Sequence, residues 1–128
     1  MPVGDGANLT NAQLNAINLT DRTLTGTNLS GASLAGATLD ATGFKSADLS
    51  GTNLQGANLT GAILGNANLN DAQMVSATIT NTNLTGADMQ GANLTNAVGN
   101  PEGIHGPNLT DVNLTDANLT GTFLGFAT

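Results

Sequence analysis

Apolar residues recur at every fifth position through almost the whole chain. From Leu9 to Leu124 this phase defines 24 central positions, of which 23 hold Leu, Ile, Met or Phe and one holds Gly99. The residue two places before each centre is usually small, and it is Ala in 14 of the 24 units. Because side chains alternate along an extended backbone, this small residue and the central residue point to the same side. The pattern predicts an inner column of large apolar residues beside a column of alanines.

The remaining three positions of each unit are mostly polar residues or Gly. Asn, Asp, Thr and Ser predominate there, and Gly recurs two residues after the centre, as at Gly26, Gly31 and Gly51. These residue types favour turns. A corner every five residues would coil the chain into a solenoid whose successive coils pair as parallel strands do. A disordered polar tract would not keep such a phase.

The most regular stretch, Ala47 to Leu69, reads A-D-L-S-G-T-N-L-Q-G-A-N-L-T-G-A-I-L-G-N-A-N-L. It resembles the pentapeptide repeat family, and the resemblance extends over residues 7–124. The resemblance implies an all-β fold, a right-handed quadrilateral parallel β-helix. It also implies four units per coil, so that the 24 units would make about six coils. Five-residue spacing alone does not give the number four. Members of this family are mostly non-enzymatic and are abundant in cyanobacteria.

One interruption divides the repeat. We expect a single domain over residues 1–128, with repeats at 7–98 and 107–126. Between these blocks, residues 97–107 contain two Pro and three Gly, and a Gly stands where the central Leu belongs. Pro cannot donate to a ladder and Gly weakens a strand, so this segment is predicted to be a loop. The repeat resumes in its original phase, which leaves open whether Ile104 stays in the inner column.

Composition excludes several classes of function. The 128 residues carry a net charge of −7, with two basic residues and no Cys. No disulfide framework or thiolate metal site is therefore available. Two basic residues cannot neutralise a nucleic-acid backbone, so direct nucleic-acid binding is not expected. No apolar run reaches the length of a membrane helix and no signal peptide is visible, so we expect no membrane partner and take the cytoplasm as the default location.

The titratable residues do not form a catalytic pattern. His105 is the single His, and it lies in the predicted loop without an acidic cluster beside it. Asp48 and Asp88 would share a column about 10 Å apart on a flat outer face. Stacked Asn and Asp side chains in such a column are typical of structural hydrogen bonding along the axis. We therefore predict no enzyme activity, catalytic residue, metal site or cofactor.

Residues that break the repeat are the candidates for interaction. With four units per coil, the centres fall into faces, and the least regular face would contain centres 24, 44, 64, 84, 104 and 124. Ile63 and Phe123 would project outward from it, and Arg22 occupies an inner site near one end of the rod. Arg22 either extends its charged head into solvent or binds a partner. The opposite face would contain centres 9, 29, 49, 69, 89 and 109, preceded by a ladder of Asn and Asp.

The C-terminal coil is a candidate for self-association. Phe123 and Phe126 lie beside Leu124, and two of the three Phe residues are thus near this end. We predict end-to-end association through residues 114–128, most simply as a two-fold homodimer, which the family resemblance also permits. Alternatively, these Phe side chains fold over the end as a monomeric plug.

The sequence therefore predicts a non-catalytic structural or protein-interaction solenoid whose partner is a protein. Two alternatives remain open. The first is a DNA mimic that binds gyrase or another DNA-binding protein, as some members of the family do; acidity favours it, although Asn outnumbers Asp. The second is a surface that binds ice or ordered water through threonines on the face with centres 19, 39, 59, 79 and 119.

Overall fold

The structure is a computed structural model that describes residues 4–100, 106–125 and 127–128. Within these ranges there is no helix, and each strand is a single bridged residue that recurs every five residues. All the bridges are parallel. Each unit is held by backbone hydrogen bonds to the coils on both sides: the Asn58 amide donates to the Ala37 carbonyl of the preceding coil at 2.9 Å, and the Leu59 amide donates to the Thr78 carbonyl of the following coil at 2.8 Å.

Up to the interruption, every bridge joins residues that are 20 apart, as in Asn18–Thr38 and Thr38–Asn58. Four five-residue units therefore complete one coil, as the family resemblance implied. The bridges form four columns, and each column defines a face of the rod. The first face has Asn8, Asn28, Asp48, Asn68, Asp88 and Asn113; the second has Gln13, Ser33, Asn53, Gln73, Asn93 and Asn118; the third has Asn18, Thr38, Asn58, Thr78, Val98 and Phe123; the fourth has Thr23, Gly43, Ile63, Asn83 and Asn108.

Corners lie two residues after each central position and are left-handed. In the described part of the chain twelve non-glycine residues have φ between 52° and 59°, and most of them are Asn, Asp or Ser. Short polar side chains tolerate this conformation better than others. At some corners a residue of the preceding coil leaves no room for a side chain, which is a second reason for glycine. The Asn11 carboxamide oxygen lies where a Cβ on Gly31 would be, and Asp71 covers Gly91 in the same way.

The core consists of the predicted inner column. Central residues from Leu24 to Leu94 are at most 1% exposed, and the alanines two places before them are equally buried. Buried threonines replace some of these alanines and bond between coils. The hydroxyls of Thr42, Thr52 and Thr82 donate to the carbonyls of Leu19, Leu29 and Leu59, respectively. Burial falls in the C-terminal coil, where Leu119 is 38% exposed, because no described coil packs on its outer side.

Regular pairing continues up to Val98 on the N-terminal side of the interruption. Val98 still bridges Thr78 and Phe123, and the Gly99 amide donates to the Phe123 carbonyl. After the interruption, bridged partners are 25 residues apart instead of 20, as in Asn83–Asn108 and Val98–Phe123. One additional unit of five residues therefore separates the two blocks. Ile104 and His105 lie outside the described residues.

This insertion makes the predicted faces wrong after residue 98. Five extra residues preserve the five-residue phase but place every later unit on the face before the one predicted for it. Leu109 therefore follows Leu84 on the fourth face, and Leu114 instead of Leu109 ends the first face. Phe123 and Leu124 belong to the third face, whereas Leu119 with Thr120 belongs to the second.

Candidate interaction face

The outward residues in the middle coils of the fourth face depart from the repeat. Two outward positions flank each central residue on this face. The first column is Thr23, Gly43, Ile63, Asn83 and Asn108, and the second is Thr25, Lys45, Gly65, Thr85 and Thr110. The bridge from Gly43 to Ile63 makes these two residues neighbours, and the 3.0 Å hydrogen bond from the Ser46 amide to the Gly65 carbonyl brings Lys45 beside Gly65.

Ile63 is the most unusual residue of this face. It is 47% exposed, at a position where the adjacent coils carry Gly43 and Asn83. The other large apolar residues exposed in the described ranges, Leu119 and Phe123, lie in the C-terminal coil. Ile63 thus presents an apolar side chain in the middle of a polar rod.

The two glycines beside Ile63 are not required by the backbone. Neither Gly43 nor Gly65 has a positive φ. A Cβ on Gly43 would come no closer than 3.8 Å to another atom outside its chain neighbours, and a Cβ on Gly65 no closer than 3.7 Å. Side chains would therefore fit at both positions. Their absence leaves shallow depressions on two sides of Ile63, and we call the surface of Gly43, Lys45, Ile63 and Gly65 the Ile63 notch.

The positive charges of the chain also lie on this face. The sequence has two basic residues, Arg22 and Lys45, and both side chains are exposed. Arg22 borders the notch, since its carbonyl accepts a 2.9 Å hydrogen bond from the Gly43 amide. One described carboxylate continues the second outward column: Asp5 accepts a 2.9 Å hydrogen bond from the Thr25 amide at the N-terminal end of the face. Asp21 and Asp111 lie at the corners of the face.

The family model of pentapeptide repeats matches the chain in eight copies, at residues 5–40, 17–56, 44–81, 62–98 and 106–128. The chain belongs to the pentapeptide repeat family. No curated protein sequence matches it.

Solved structures of pentapeptide repeat proteins resemble this one. A pentapeptide repeat protein from the Arabidopsis thaliana thylakoid lumen has a TM-score of 0.59 and 29% identity over 70% of this chain. This chain spans 66% of the length of that protein. HetL, a pentapeptide repeat protein involved in heterocyst differentiation regulation in the cyanobacterium Nostoc, has a TM-score of 0.50 and 26% identity, over 95% of this chain and 70% of its own.

The first face of this pentapeptide repeat protein differs from the fourth, because its side chains bond to one another. The Asn68 side-chain amide donates to the Asp48 carboxylate at 3.2 Å. Asp88 accepts two such bonds, from the side-chain amide of Asn113 at 2.9 Å on one oxygen and from that of Asn70 at 3.1 Å on the other. Asp48 and Asp88 thus accept bonds from amides and are separated by Asn68. This arrangement confirms the structural stacking that the sequence predicted.

The remaining predicted interaction residues are dispersed. Arg22 is exposed in the first coil, next to the Ile63 notch. Phe123 is 54% exposed and Leu124 packs partly against the core, but both lie on the third face. Phe126 lies outside the described residues. Sequence reasoning missed Lys45 and Gly65, although aligning the units in rows of four would have placed both cations on one face.

No group of three or more His, Cys, Asp or Glu residues that could hold a metal ion occurs in residues 4–100, 106–125 and 127–128. Over the same ranges, none of the structure forms a helix of the length and apolarity needed to cross a membrane.

Proposed function

We propose that this right-handed rod of about six coils is a non-catalytic protein-interaction module that binds its partner through the fourth face. The observation that supports the proposal is Ile63, which is 47% exposed on the face whose units also contain both cations of the chain, Arg22 and Lys45. Protein interfaces combine an apolar centre with a polar rim. Ile63 supplies the centre, and the Thr and Asn side chains of neighbouring coils supply the rim.

The fold favours such a role because the face is preorganised. The unit of Ile63 is tied to both adjacent coils: the Ile63 amide donates to the Thr42 carbonyl of the preceding coil at 2.9 Å, and the Ala62 carbonyl accepts from the Asn83 amide of the following coil at 2.9 Å. A rigid face loses little backbone entropy on binding. Covering the exposed half of Ile63 would contribute about 1 kcal/mol. One such residue gives specificity, and the flat polar face around it supplies the contact area.

The two narrower alternatives receive less support. A DNA mimic needs closely spaced negative charge, but the first-face carboxylates lie two coils apart and are bonded to amides. A gyrase supercoiling assay tests it, and inhibition would favour it. An ice-binding threonine surface loses Thr120 to the second face and has Phe123 in its place, next to Val98. Thermal hysteresis would favour that alternative.

Self-association through the C-terminal coil stays a separate proposal. Leu119 is 38% exposed and Phe123 is 54% exposed at this end, so pairing two such coils would cover apolar surface. Sedimentation of the wild type and of a Phe123→Asp variant tests it. Dimers that the variant loses support the proposal, and a wild type that remains monomeric at high concentration contradicts it.

Affinity capture from cells of the source organism tests the proposed face. The bait proteins are the wild type, an Ile63→Asn variant and a Gln55→Ala control on the second face. Asn fits at position 63, since Asn83 occupies the same site one coil further on. We expect a partner that binds the wild type and the control but not Ile63→Asn. If every captured protein binds all three baits equally, the fourth face is not the binding surface.

A further inference from the structure

The Ile63 notch has a specific shape that results from two adjacent coils. Gly43 and Lys45 lie in one coil, and Ile63 and Gly65 lie in the next. Side chains and glycines therefore alternate in a two-by-two arrangement. Neighbouring coils are about 4.8 Å apart, and the two outward positions within a unit are about 6.7 Å apart. Each glycine floor thus has roughly the dimensions of one flat side chain.

The walls of the notch favour an aromatic ring. Glycine within a strand often marks a place where another molecule approaches the backbone closely. A ring lying on Gly65 would contact Ile63 on one side and the exposed Lys45 on the other. The apolar wall accepts the ring edge, and an ammonium group near a ring face is attracted to its π electrons. An aliphatic side chain would gain the first contact but not the second.

The distribution of charge on the rod indicates which charged residues should accompany that ring in the partner. The chain has a net charge of −7, so an acidic partner is repelled by most of the rod. The fourth face is the exception, because Lys45 and Arg22 both belong to its units, and the one described carboxylate of its outward columns, Asp5, lies at the end of the rod two coils before Lys45. Complementary charges steer association and exclude other partners. A basic partner would instead be attracted to the first face and its corners.

We propose that the Ile63 notch binds an acidic protein segment by enclosing one of its aromatic side chains. The ring lies over Gly65 against Ile63, and carboxylates of the segment pair with Lys45 and Arg22. This inference rests on the proposed function, since it names the chemistry of the partner for the same face.

A displayed library of random 12-residue peptides tests the proposal. It is selected in parallel on the wild type, on Ile63→Asn, on Gly65→Asn and on the Gln55→Ala control. Asn fits at position 65 because a Cβ there has ordinary contacts, and Asn70 already occupies the equivalent position of another unit. An unchanged melting temperature of Gly65→Asn shows that only the notch is filled.

We expect peptides enriched on the wild type and on Gln55→Ala to combine an aromatic residue with Asp or Glu. For one such peptide, Gly65→Asn should weaken binding about tenfold, which is typical of an obstructed anchor site. Lys45→Gln should weaken binding less and should reduce its salt dependence.

Other results would overturn the inference in distinguishable ways. Peptides that need Ile63 but show no preference for aromatic or acidic residues would leave the binding face standing and refute the partner chemistry. Peptides that bind Ile63→Asn as well as the wild type would refute both. Failure to enrich any peptide on the wild type over Gly65→Asn would refute the role of the notch.

Discussion

Replacing Leu59 by Ala should destabilise the rod strongly. Leu59 is 1% exposed, and it is stacked between Leu39 and Ile79 of the adjacent coils, which are fully buried. The substitution removes three carbon atoms, a loss of about 2.4 kcal/mol in transfer free energy. A cavity term is added because the coils cannot close the gap: the Leu59 amide is fixed to the Thr78 carbonyl at 2.8 Å. The total is about 3 kcal/mol, within the range for buried leucines.

Leu119→Ala is the matched control, since Leu119 is also a central residue but is 38% exposed. Its loss should be about 1 kcal/mol, because part of the side chain is already in water and no closed cavity forms. For 128 residues, 1 kcal/mol corresponds to about 4 °C in melting temperature. Thermal melting followed by circular dichroism should therefore show decreases of about 12 °C for Leu59→Ala and about 4 °C for Leu119→Ala. Equal decreases would show that the central residues are not buried as described.

Two further predictions concern the corners and the inner threonines. Gly31→Ala should destabilise more than Gly56→Ala in urea unfolding, because both glycines have positive φ but only Gly31 is covered by Asn11. The double variant with Asn11→Ala should remove the difference, and a difference that persisted would contradict the packing of Asn11 on Gly31. Thr52→Val should cost about 1 kcal/mol by losing the 3.1 Å hydrogen bond to the Leu29 carbonyl, and unchanged stability would show that this bond does not contribute.

The five-residue phase predicted the local structure well. A centre such as Leu59 and an alanine such as Ala57 are identified by spacing alone, and both are buried. The corners were equally readable, because Gly, Asn and Asp stand where φ is positive. These features depend on residues close in sequence, and each unit repeats the same physical requirement.

The arrangement of units was harder to predict. An insertion of five residues does not disturb a five-residue phase, so the sequence pattern is the same whether a unit lies inside or outside the coil. The change in coil register by one unit is visible only in the pairing between coils, as in the bridge from Asn83 to Asn108. For the same reason Phe123 was placed on the wrong face.

The candidate site was predicted only in part. Ile63 was recognisable as an apolar residue at an outward position, and Arg22 as a charge at an inner one. Lys45 carries no local signal, because it comes near Ile63 only across the coil boundary, and Gly65 gains its importance from having Lys45 beside it in the adjacent coil. Such neighbours become visible only when the 20-residue spacing of the bridges is known.

Site-specific photocrosslinking in the source cells tests the binding face most directly. A benzophenone side chain is placed at Asn83, next to Ile63 on the fourth face, or at Asn53 on the second face. The two sites match locally, because each carboxamide oxygen accepts a 3.0 Å hydrogen bond from the amide two residues later. A protein adduct that forms from position 83 and not from position 53 is the expected result. Adducts of equal yield from both positions, or from position 53 alone, would contradict the assignment of the fourth face.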